Sequence, residues 1–101
     1  MHGVCFDDAP WIEIAPGARH KAIERDGRRF RMVEFRREFV EPDWCRKGHL
    51  GVVLEGGFTV DFSGRVEHFR AGDGIAIPAG EAHRHQANVT DLVRLFLIED
   101  L

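Results

Sequence analysis

The chain has 101 residues, 44% hydrophobic and 31% charged, with a formal net charge of −3. That balance describes one small folded domain, too apolar for a disordered chain and too short for separate catalytic and substrate domains. The negative charge also excludes the basic footprint by which proteins hold nucleic acid, since the arginines between Arg28 and Lys47 alternate with Glu34, Glu38, Glu41 and Asp43.

Residues 1–10 carry Asp7 and Asp8 and no apolar run, so neither an export signal nor a membrane span is expected there, and a cytoplasmic address follows. At most one helical turn is expected in this stretch. After Gly17, a strand is expected over 20–25. The dipeptide Asp26-Gly27 comes next and tolerates the positive φ of a type I′ turn, so 20–25 and 28–39 read as a hairpin. Further strands are expected over 51–62, 65–69, 74–77, 83–89 and 92–98, with Ser63-Gly64 and Gly72-Asp73-Gly74 as turns. No repeat or linker divides the chain, so residues 1–101 read as a single all-β domain, an antiparallel barrel or sandwich.

Two of these strands are apolar on both faces. Phe30 and Met32 oppose Val33 and Phe35, and Val93, Leu95 and Leu97 oppose Phe96 and Ile98. One interior buries one face only. The other face is expected to be covered by a homodimer partner, with a folded-back N-terminal segment as the alternative. Phe30, Phe35, Phe58, Phe62 and Phe96 are expected in the core.

The residues able to carry chemistry also follow the strand period. Asp43, Cys45 and His49 share odd parity, as do His83 and His85, so on an extended chain each set faces one side. Thiolate, imidazole and carboxylate are the ligands of zinc, iron, nickel and copper, and neither a phosphate-binding loop nor a Ser/His/Asp order competes with them. Without an export signal Cys5 and Cys45 read as reduced, leaving Cys45 free for metal or for packing. His2, His20 and His68 read as surface residues. Glu55 reads as turn chemistry, or as a general base if it points inward.

Two stretches resemble the cupin family. Residues 72–83, with Gly72, Pro78, Gly80 and His83, are similar to its second motif, in which a glycine is followed by five residues, Pro-x-Gly, two residues and a histidine. Val53-Leu54-Glu55-Gly56 resembles the strand ending of its first motif. Counting back from it puts His49 in the place of that motif's glutamate, Cys45 and Asp43 in the places of its two histidines. The resemblance spans residues 43–88. It implies a jelly-roll-like cupin barrel, a double-stranded β-helix, with a divalent metal inside: His49 and His83 in one coordination shell, completed from Cys45 and His85.

A shell without the family's glutamate favours zinc, nickel or iron held by nitrogen and sulfur, which argues against carrying over the family's oxygenase activity. The expected function is metal-dependent action on a small oxygen-bearing substrate. A metal-free module that binds or senses a small molecule is the alternative, and a metal that only stabilises the fold a third reading.

Overall fold

A computed structural model describes residues 2–101 as eight strands and one 3₁₀ turn. The strands are β1 (Ile12–Ala15), β2 (Ala18–Arg25), β3 (Arg28–Arg36), β4 (His49–Asp61), β5 (Val66–Arg70), β6 (Gly74–Ile77), β7 (Gln86–Asn88) and β8 (Leu92–Asp100), with the 3₁₀ turn at Glu81–His83. All pairing is antiparallel, and no α-helix occurs among the described residues. The hydrogen-bonded path runs β1-β2-β3-β8-β4-β5, with β6 and β7 also pairing with β4. It does not return to β1, so the sheet is all-β but not closed.

The β2–β3 hairpin turns at Asp26 and Gly27, whose φ values of 53° and 78° are both positive, as a type I′ turn requires. The expected strand over 28–39 stops at Arg36, where Phe39 N–H turns back to the Arg36 carbonyl. β1 has no counterpart among the expected strands.

β4 organises the interior. Its first residues pair with β6 and β8, and its last, Gly57 to Asp61, pair with β5, with β7 alongside Thr59 to Asp61. The handover falls at a register shift between Val53 and Glu55, followed by Gly56 at φ 72°. A bulge inserts one residue and so exchanges the two faces of the strand beyond it. His49 and Val53 point inward before it, Phe58 and Val60 after it. The sequence stretch that resembled a strand-ending turn is therefore a bulge inside a continuous strand. Leu92 O occupies the space a side chain at Gly56 would need.

The core gathers the odd-numbered residues of β3, β6 and β8 around Val53, with Val33 and Val93 both at 0% exposure. Burying each such side chain stabilises the fold by about 1.5–3 kcal/mol. The opposite face of β3 and β8 is covered in part by the chain itself. Phe6 packs edge-on against Phe96 at 6.1 Å, while Lys21 Nζ donates to the Phe6 carbonyl at 3.1 Å and Arg25 Nη1 to that of Gly3 at 2.6 Å. The face expected at a homodimer contact is thus covered in part by the N-terminal segment, the alternative reading, and Leu50 and Leu54 stay 59% and 45% exposed.

Glu34 is also on that outer face, at 1% exposure, and accepts hydrogen bonds from Arg19 at 3.0 Å, Arg36 at 3.0 Å and Arg94 at 2.8 Å. Burial would raise its carboxyl, but the three guanidinium groups hold it at about 2. Arg19 in turn lies 4.2 Å over the Trp11 ring, tying the N-terminal segment to this cluster.

Candidate functional site

The loop from β3 to β4 brings Cys45 beside His85. Cys45 N–H donates to the His85 carbonyl at 2.8 Å, and His85 N–H to the Cys45 carbonyl at 2.9 Å, a two-way bridge that sets the side chains next to each other. The Pro78-Ala79-Gly80 return shapes the rest of this loop. Gly80 N–H donates to the Arg46 carbonyl at 3.0 Å, and Gly48 approaches the Ala79 backbone too closely for a side chain. The bend delivers His49 to the start of β4, opposite Ile77 of β6.

Cys45, His49 and His85 each offer one ligand atom, and the three atoms lie within 4.8 Å of one another. Cys45 Sγ is 3.6 Å from His49 Nε2, and the two imidazoles meet edge-on with centroids 5.2 Å apart. His49 Nδ1 donates to Glu99 Oε2 at 2.8 Å, and Arg31 Nη2 donates to the same oxygen at 2.7 Å. His85 Nδ1 donates to the His83 carbonyl at 3.0 Å. A carboxylate and a carbonyl only accept, so both Nδ1 atoms carry a proton, and in each ring Nε2 is the nitrogen left to face Cys45 or a metal ion.

These contacts set the charges. Hydrogen bonds from His49 and His85 bring the Cys45 thiol down to about 5 against the effect of burial. Burial would lower His49, but Cys45 and Glu99 more than reverse this and carry it to about 9. Burial would likewise raise Glu99, whose bonds from His49 and Arg31 hold it at about 2. His85 is raised, its burial outweighed by Cys45 and by the His83 carbonyl. Without a metal, the neutral-pH state is a thiolate against an imidazolium.

The donor set fits a divalent cation. For tetrahedral zinc, a metal–sulfur bond of about 2.3 Å and a metal–nitrogen bond of about 2.0–2.1 Å place sulfur and nitrogen about 3.6 Å apart. That is the Cys45–His49 separation observed. Three protein donors also leave a fourth position free, as in catalytic rather than structural zinc sites.

The group forms one wall of a cavity of about 260 Å³. Phe35, Phe39, Phe58, Leu95 and Leu97 make it largely apolar, with Phe35 and Phe39 stacked at 4.5 Å. Glu41 and Lys47 are further polar residues of the lining. Glu41 Oε1 accepts from Ala87 N–H at 2.9 Å, and burial pushes its carboxyl up. A wider depression of about 450 Å³, bounded by Glu67, His68, Phe69 and Asp73, shares no residue with this cavity.

Of the residues singled out in the sequence, the fold brings together Cys45, His49 and His85 and sets His83 apart. His83 is exposed at the end of the 3₁₀ turn and reaches the group only through its carbonyl. Its motif place marks where the chain returns, but β7 begins at Gln86, so the first inward position is His85. Asp43 is exposed and accepts from Trp44 N–H at 2.7 Å. Glu55 is exposed and pairs with Arg94 at 3.0 Å. His2 and His68 are exposed, while His20 is partly buried, its Nδ1 3.2 Å from Arg31. Arg31, Glu41 and Glu99 were not foreseen. Arg31 shares parity with Val33, and Glu99 with Leu97, and that was a usable signal. Glu41 lies in a loop, where the strand period says nothing.

The family described as "Cupin domain" matches residues 44–99, more than half of the chain. This chain belongs to the cupin family. No curated protein sequence matches it. Solved structures with the same fold include the polyketide cyclase RemF from Streptomyces resistomycificus, 22% identical over 99% of this chain and 79% of that one, at a TM-score of 0.80. KdgF from a Halomonas species is 23% identical over 98% of this cupin and 94% of its own chain, at 0.74. An RmlC-like cupin from Shewanella frigidimarina NCIMB 400 is 19% identical over 99% and 90%, at 0.75. Likenesses at this identity establish the fold of the present cupin. Among the described residues, no helix is long and apolar enough to cross a membrane.

Proposed function

We propose that this cupin holds a divalent metal ion, zinc, nickel or iron, on Cys45, His49 and His85, and acts through it on a small oxygen-bearing molecule in the apolar cavity. The observation that carries this reading is the convergence of one sulfur and two nitrogens within 4.8 Å on the cavity wall. When bound, the ion supplies Lewis acidity toward a ligand oxygen. The chain does the rest. Glu99, fixed by Arg31, holds His49 with Nε2 toward Cys45, and the His83 carbonyl does the same for His85. The phenylalanine walls give the space in front of the group an apolar lining. RemF, named as a polyketide cyclase, supports the reading as a case of catalysis hosted on this fold.

A second reading rests on the thiol-to-imidazole contact of 3.6 Å, which closes the group on itself as an ion pair and leaves a metal-free binding or sensing module. Elemental analysis of protein purified without a nickel column separates the two. The metal reading expects about one ion per chain, lost in Cys45→Ser, His49→Ala and His85→Ala and retained in His83→Ala. Metal-free protein that also fails to take up added zinc tighter than micromolar favours the module.

A further inference from the structure

The two most tightly held carboxylates of the sheet, Glu34 and Glu99, are each gripped by guanidinium groups. Glu41 is not. Among the described residues no cation pairs with it, although it lines the cavity that holds the sulfur and the two imidazoles. Its Oε1 is tied to the backbone N–H of Ala87, two residues beyond His85 on the same inward face, which fixes where the carboxyl sits. Its Oε2 has no hydrogen-bond partner among the described residues, yet is not sealed into the protein, so it is open to an incoming group. Burial pushes this carboxyl up, outweighing the Ala87 N–H that pulls it down, while Cys45 and the two imidazoles act in opposite senses.

The cavity says what that incoming group belongs to. A space of about 260 Å³ lies just below the usual range of ligand pockets and suits a small molecule of ring size. The stacked Phe35 and Phe39 and the Phe58 ring give it flat apolar walls. We propose that Glu41 is the second anchoring group of this cavity, the carboxylate that accepts a hydrogen bond from the hydroxyl of a ring-sized, otherwise apolar ligand. This rests on the cavity being the ligand site of the proposed function, but not on the metal.

Phenol and toluene test it, because they share a ring and differ in one hydroxyl. Their affinities are measured by isothermal titration on metal-stripped and zinc-loaded protein, in wild type and in Glu41→Met. The ratio of phenol to toluene affinity should fall about tenfold in the variant, one hydrogen bond's worth, with toluene itself changed less than about twofold. Toluene binding by the variant also reports that its cavity is folded. Should Glu41→Met not fold, the side-chain carboxyl carbon resonance of Glu41 in wild type, assigned by its absence in Glu41→Gln, decides the matter. Phenol must then shift it and toluene leave it in place.

A ratio unchanged within about twofold, a carboxyl resonance blind to phenol, or wild type that binds neither probe overturns the proposal. Zinc titration run alongside keeps the two readings apart. Protein that takes no zinc but shows the Glu41-dependent ratio loses the metal and keeps this anchor. Protein that takes zinc with an unchanged ratio does the reverse.

Discussion

Cys45→Ala should change the stability of the metal-free protein by an amount that depends on pH in a bell. The thiol stands at about 5 in the fold, below its ordinary value of 9.0, so the stability it contributes is lost as pH falls through about 5. His49 stands at about 9, above its ordinary value of 6.5, so its contribution is lost as pH rises through about 9. Between the two, thiolate and imidazolium coexist. At pH 7 the thiol is two pH units above its native value, an upper limit of about 2.7 kcal/mol. Cys45 is only partly buried, and solvent screening brings this to about 1.5 kcal/mol. For a domain of this size that is a melting shift of about 6–12 °C. The assay is urea unfolding of wild type and Cys45→Ala in reductant and chelator, in half-unit steps from about pH 4 to about pH 10. The packing lost with the sulfur adds a constant offset, so only the curvature of the difference is diagnostic. A difference constant within about 0.5 kcal/mol across that range would refute the ion pair.

Glu99→Gln keeps the shape beside His49 but removes the charge that fixes its tautomer, and should weaken zinc binding about 10–100-fold in chelator competition. Unchanged affinity would mean that the Glu99–Arg31 pair is only structural. Glu34→Ala leaves Arg19, Arg36 and Arg94 without their shared carboxylate. It should cost about 3 kcal/mol, the low end for breaking a buried pair because the arginines reach solvent, seen as a melting temperature lower by about 12 °C or more. A loss below about 1 kcal/mol would show that these guanidinium groups are hydrated well enough to need no partner.

The period of two in the sequence carried most of the fold. It located β2, β3, β5, β6 and β8 because their two faces differ in burial, and it suggested a common side for Cys45 and His49, although the bend at residues 46–48 is what brings the two together. It failed where the backbone breaks the period. The bulge after Val53 exchanges the faces of β4, and the Gly56 that enables it looks in sequence like the end of a strand. The 3₁₀ turn at Glu81–His83 moves the inward position from the motif histidine to His85. β1 escaped notice because it adds to the edge of β2 with Ile12 and Ile14 exposed, so no buried face marks it. The polar wall of the site was legible only in part. Arg31 and Glu99 sit at inward places that hydrophobic reasoning assigns to apolar side chains, and Glu41 is placed by a loop.

β4 belongs to both halves of the sheet, bonded to β6 and β8 along its first residues and to β5 and β7 along its last. A domain built this way has no seam. Neither half can detach without unzipping the strand that begins at His49, so loss of the site and loss of the fold become one cooperative event. The amides of β4 should then exchange with deuterium only through global unfolding, while the edge strand β1 opens on its own. β1 carries Ile14 of the cavity lining, so its local opening would uncover the cavity while the rest of the sheet stays intact.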